Sequence, residues 1–112
     1  MSDCLFCRII NREIPATIVA ENEHALAFRD IAPRAPTHVL VVPKVHVATM
    51  DEATDARALG EVLLLAAAVA RQEGIAGSGY RTVVNTNAGA GQTVFHVHAH
   101  VLGGRVFDWP PG

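Results

Sequence analysis

Apolar residues at Leu5, Phe6, Ile9 and Ile10 recur at helical spacing, and Pro15 follows soon after, which predicts a short helix from Leu5 to Asn11. Thr17 to Glu21 and Ala25 to Asp30 flank the polar Asn22-Glu23-His24 and read as a hairpin. Beyond a turn punctuated by Pro33 and Pro36, the run His38-Val39-Leu40-Val41-Val42 is the pattern of a largely buried strand, ended by Pro43. Ala and Leu dominate from about Thr54 to Glu73. Thr54 or Asp55 can cap that stretch, and Gly74 stands where a left-handed residue would close it, so it is the one long helix. Tyr80 to Asn85 and Thr93 to Leu102 then read as two strands joined by the glycine-rich turn Asn87-Ala88-Gly89-Ala90-Gly91. Strict β-α-β alternation is missing, so the pattern predicts an α+β fold with a mainly antiparallel sheet.

Composition adds bounds. At 112 residues and 50% hydrophobic content, the chain is sized for a single domain over residues 1–112. A net charge of −2, with both signs interspersed, gives no electrostatic reason to bind a nucleic-acid polymer. The opening Met1-Ser2-Asp3-Cys4 lacks the basic and apolar regions of a secretory signal, and the apolar run Val62 to Ala70 is far short of the ~20 residues that cross a bilayer. The expectation is a soluble, cytoplasmic protein with no membrane partner. Cys4 and Cys7 are too close in sequence for a useful disulfide loop, which leaves metal binding or plain burial.

The conspicuous chemistry is His96-Val97-His98-Ala99-His100. On a strand these three imidazoles would form a column on one face, with neighbours ~6.5–7 Å apart. Polar residues alternating on a solvent face would explain that pattern. So would a zinc site, since His-x-His is a good bidentate arrangement, and so would nucleophilic catalysis by a neutral imidazole. Just upstream, Gly89, Gly91, Gln92 and Thr93 offer permissive backbone, an amide and a hydroxyl that could cradle an oxyanion.

The stretch from Gly91 to Leu102, with histidine and apolar residues alternating through His96, His98 and His100, resembles the motif of the histidine-triad superfamily of nucleotide hydrolases and transferases. Phe28-Arg29-Asp30-Ile31-Ala32-Pro33, Thr37-His38-Val39-Leu40-Val41-Val42-Pro43-Lys44 and the closing Trp109-Pro110-Pro111-Gly112 resemble its histidine-triad nucleotide-binding branch, that of the purine nucleoside phosphoramidases. The resemblance implies a five-stranded, mainly antiparallel sheet with one long and one short helix, and a homodimer in which two sheets join into ten strands.

It also implies roles. His98 would be the nucleophile, forming a nucleotidyl-histidine that water cleaves. His100 and Thr93 would contact the α-phosphate, His38 would orient or relay protons beside the triad, and His96 completes the triad. Asp30 matches a carboxylate that accepts the ribose hydroxyls. Leu5, Phe6, Ile9, Ile14 and Phe28 match the apolar wall around the base, flanked by Arg29 and Ile31. Arg29 stands where the family often has histidine. Asn85 matches a polar residue near the phosphate and leaving-group side, Gly91 and Gln92 of the oxyanion cradle join the nucleotide-binding set, and Trp109 matches a residue placed at the partner subunit's site. Among relatives, a pair like Cys4 and Cys7 joins histidines matching His46 and His96 in a Cys2His2 set, which implies structural Zn2+ with no metal required for the chemistry.

The function so implied is hydrolysis of purine nucleoside phosphoramidates or aminoacyl-adenylates at the α-phosphate, releasing AMP or GMP. Dinucleoside-polyphosphate hydrolysis or nucleotidyl transfer by the same triad is the alternative enzyme reading. A nucleotide-sensing module with little turnover, and a zinc hydrolase using the triad as ligands, are the readings from other classes.

Overall fold

A computed structural model describes residues 3–112; Met1 and Ser2, which open the segment read above for a signal, lie outside them. The short helix is α1, Leu5–Ile10, whose N-cap is Cys4, with the Cys4 thiol accepting from the Cys7 N–H at 3.4 Å. β1 (Ile18–Glu21) and β2 (Ala25–Arg29) form the expected hairpin. Its turn is held by Asn22, whose Oδ1 accepts the His24 and Ala25 N–H groups at 2.8 Å each. β3 runs Thr37–Pro43 and the long helix α2 runs Ala56–Gln72. Asp55 is the α2 cap, accepting from Arg57 and Ala58 at 3.1 Å, and Gly74 sits at φ +76° beyond the last turn.

The final pair departs from expectation. β4 covers Tyr80–Val83 and β5 only Ala99–Gly103, and a 3-10 turn at Ala88–Ala90 stands where a tight hairpin was expected. Residues 93–98 leave the strand path because their polar groups are satisfied elsewhere. The Val97 N–H bonds to the Val47 carbonyl at 2.7 Å, and the Gln92 amide donates to the carbonyls of Ala48 and Val94 at 2.8 and 3.1 Å. A second 3-10 turn, Met50–Glu52, precedes α2.

The five strands form one antiparallel sheet in the order β1-β2-β3-β5-β4. β3 lies at its centre, and its two faces serve different ends. Val39 and Val41, with Ala25, Ala27, Ala99 and Val101, face α2 and pack on Val62, Leu65, Ala66, Val69 and Ala70. Leu40 and Val42, with Leu26 and Phe28, face the opposite way and are covered by Phe6 and Ile9 of α1. Period two then places His38 on the α1 face. No helix among the described residues is long and apolar enough to cross a membrane.

Candidate functional site

The β3–β5 register brings the histidines together. His38 pairs with Leu102 and Leu40 with His100, so His38 and His100 are diagonal neighbours on the α1 face. Their rings meet, with His38 Nε2 at 2.9 Å from His100 Nδ1. His98 precedes β5 and lies beside His100, the ring centroids 4.9 Å apart. His96 leaves the column altogether: because its segment is not strand, its ring is fully buried beside Cys4, Cys7 and His46.

Main-chain partners fix the protonation of His98, His96 and His38, because a carbonyl only accepts and an amide N–H only donates. His98 Nδ1 lies 2.8 Å from the His96 carbonyl, so Nδ1 carries the proton and Nε2 the lone pair. His96 Nε2 lies 2.8 Å from the Pro43 carbonyl, which leaves the His96 lone pair on Nδ1. The Arg34 N–H donates to His38 Nδ1 at 2.9 Å, so the His38 proton is on Nε2. That proton is shared between His100 Nδ1 and the Asp30 carboxylate, whose Oδ2 is 3.3 Å away. Burial holds His100 down to about 4, helped by the nearby His98 and His38 and opposed by Asp30. His38 is also lowered, by burial first, with Asp30 working against it and Arg34 with it.

A cavity of about 320 Å³ opens beside His98 and His100. Its walls include Leu5, Phe6, Ile9, Ile14, Phe28 and Ile31 of the expected base pocket, with Asp30, Arg29 and Thr93 at its border. Phe6 stands edge-on to both Phe28 and His98, at centroid distances of 5.3 and 5.1 Å. Ile31 is fully exposed at the rim. Asp30 keeps its turn role as well, since Oδ1 accepts the Ala32 N–H at 2.8 Å. The Arg29 guanidinium is turned away to a two-pronged pair with Glu73 at 2.8 and 3.1 Å.

Other expected residues fall outside this cavity. Gln92 is buried and braces the loop, its Oε1 accepting the Asn87 N–H at 2.7 Å and its own N–H reaching the Asn87 carbonyl. Gly91 supplies the left-handed turn at φ +95° that admits it. Asn85 lines a second cleft of about 440 Å³ that shares His38 and His100 and carries Arg34, Arg81 and Arg105. Trp109 is 84% exposed on the C-terminal tail. The sequence reading omitted Leu40, Pro15, Ala16 and Val94 from the wall. Period two from His38 would have found Leu40. Arg34 and Pro43 act through their main chain and carry no residue-type signal.

Cys4, Cys7, His46 and His96 place one ligand atom each within 4.8 Å of one another. Their sulfur–nitrogen distances are 3.4, 3.4 and 3.5 Å, and the two Nδ1 atoms are 3.2 Å apart. A tetrahedral zinc with ordinary bond lengths needs about 3.6 Å and about 3.3 Å for those pairs. The set fits a metal, and the Pro43 carbonyl behind His96 is the outer partner such a ligand uses. Asp30, His38 and His100 are equally close together. There the group behind His38 is a donor, which puts a proton where a metal would need the lone pair.

Comparison with known proteins places these features. The profile of the HIT domain matches residues 11–107. The purine nucleoside phosphoramidase of Escherichia coli is 48% identical over 105 residues, 92% of this chain and 88% of that one. The 14 kDa zinc-binding protein of Zea mays is 47% identical over 116 residues, 99% of this chain and 89% of that one. The crystal structure of a HIT family hydrolase from Legionella pneumophila superposes with a TM-score of 0.95 at 51% identity, covering 98% of this chain and all of that one, 100%.

Proposed function

The chain belongs to the HIT domain family, and from that premise we propose that it hydrolyses purine nucleoside phosphoramidates or aminoacyl-adenylates at the α-phosphate. The observation that carries the reading is the His98 ring at the cavity edge, with Nδ1–H tied to a carbonyl and Nε2 left nucleophilic. Nε2 forms a bond to phosphorus as the bond to the leaving group breaks. Water then cleaves the nucleotidyl-histidine, so one hard displacement becomes two easier ones. The neutral His100 and the Thr93 hydroxyl face the phosphate, Asp30 accepts the ribose hydroxyls, and the apolar wall takes the base. Asn85 and the partner subunit's tail, through Trp109, bound the leaving group in a homodimer. The 48% identity to a phosphoramidase supports this substrate class.

Zinc held by Cys4, Cys7, His46 and His96 serves as a cross-link and supplies no chemistry at phosphorus. The test is AMP release from adenosine 5′-phosphoramidate, with mass spectrometry of protein quenched during turnover. Wild type should carry a nucleotidyl adduct on His98, and His98→Ala should lose turnover by at least about a thousandfold. Equal slow release by both proteins sinks the reading. A second reading, dinucleoside-polyphosphate hydrolysis, is favoured by Arg34, Arg81 and Arg105 in the cleft beside His100, and turnover on the two substrates separates them.

A further inference from the structure

We propose that the arginine-bearing cleft next to the nucleotide cavity recognises a free carboxylate on the leaving group, held by the guanidinium groups of Arg34, Arg81 and Arg105. The inference deepens the proposed function and rests on its phosphoramidate reading. It narrows the substrate to a nucleotide joined at the α-phosphate to the nitrogen of an amino acid whose carboxyl group is free. In an aminoacyl-adenylate that carboxyl is already part of the scissile bond.

The chain carries nine lysines and arginines and a net charge of −2, yet three of the arginines border this one cleft. Other cations are paired with carboxylates: Arg8 with Glu13, Arg12 and Lys44 with Glu21, and Arg29 with Glu73. Among the described residues, Arg34, Arg81 and Arg105 form no ion pair. Asp108 borders the cleft as well, but what Arg81 engages there is its main-chain carbonyl.

Two of these cations are anchored without being neutralised. Arg105 donates from Nε and Nη2 to the Arg34 carbonyl at 3.3 and 3.2 Å, and from Nη1 to the Val106 carbonyl at 3.3 Å. Its guanidinium lies over the Phe107 ring, 4.2 Å from the centroid. Arg81 donates from Nη2 to the Asp108 carbonyl at 2.8 Å and stands 5.2 Å from the same ring centroid. A carbonyl dipole and an aromatic face hold a guanidinium in place and leave its net charge intact. Each guanidinium has five N–H donors, so both keep donors for an anion, and the Arg34 side chain has no partner among the described residues. Forked donors of this kind match the two oxygens of a carboxylate.

The cleft and the nucleotide cavity both reach His100. With the base in the cavity and phosphorus at His98, the leaving group extends into the cleft. Its volume of about 440 Å³ suits a small ligand. The arginines then grip the leaving group beyond the scissile bond, where they set which amine is accepted.

The test compares AMP phosphoramidates of glycine and of glycinamide, which are close in size and differ in charge, using the full chain. Wild type should favour the glycine conjugate in kcat/KM by on the order of tenfold. Arg34→Gln keeps both main-chain groups that His38 and Arg105 rely on, and Arg81→Gln removes the second charge. Each should bring the glycine-to-glycinamide ratio toward one. Equal turnover of the two conjugates by wild type, or preference for the amide, overturns the inference and leaves the hydrolase reading standing. A ratio unchanged in both variants does the same, because arginines that only brace the C-terminal tail would slow both conjugates alike. Turnover of neither conjugate above His98→Ala, whether or not a dinucleoside polyphosphate is cleaved, overturns the inference and the phosphoramidate reading together.

Discussion

Acid should destabilise this protein through the His38–His100 pair. An unfolded histidine takes its proton near ~6.5, whereas the folded His100 waits until about 4 and His38 is lowered too. Between those values the unfolded chain binds more protons, so stability is complete above ~6.5 and drains as pH falls toward 4. Wild type should therefore exceed His100→Asn in denaturant midpoint at neutral pH, with the gap closing across that window; a gap constant with pH refutes the assignment. The same pair marks how far a residue-by-residue reading of the sequence reaches. Period two puts His38 and His100 on one face once the β3–β5 pairing is known. Which nitrogen carries each proton depends on Arg34, Pro43 and His96 only as main chain, and a sequence shows no trace of that.

Among elements, β3 and α2 were legible because their signals are strong: a continuous apolar run, a capping aspartate and a closing glycine. Residues 93–98 were misread as strand because alternation of histidine and valine mimics period two. The Gln92 brace and the Val97–Val47 bond that override it join residues distant in sequence. α1 is the element with most at stake in the proposed zinc site. It is a six-residue helix, too short to persist alone, yet it carries Phe6 and Ile9 of the cavity wall, and Cys4 and Cys7 bracket its first turn. Removing zinc by chelation should lower Tm and raise KM for the nucleotide several-fold while changing kcat little. Loss of kcat at unchanged KM, in protein still folded by circular dichroism, would instead give the metal a part in the chemistry.

At the scale of the molecule, an apolar cleft of about 220 Å³ lies between α2 and the sheet edge, lined by Met50, Leu59, Leu63, Val84 and Val97. Leu63 is 54% exposed, and Leu64 beside it 66%. This apolar surface, next to the edge strand β4, is where a homodimer would bury area. Leu63→Glu should shift the sedimenting species from dimer to monomer, and a wild-type protein that sediments as monomer at micromolar concentration refutes the assembly. The Pro43 carbonyl, the His96 carbonyl and the Arg34 N–H each decide what an imidazole can do, and none of them belongs to a side chain. Alanine scanning would pass over all three roles, since alanine keeps the same peptide groups. The settings of this site are therefore inherited with the path of the backbone: its histidines can be lost one at a time, but their protonation is protected from almost every point mutation that leaves the fold intact.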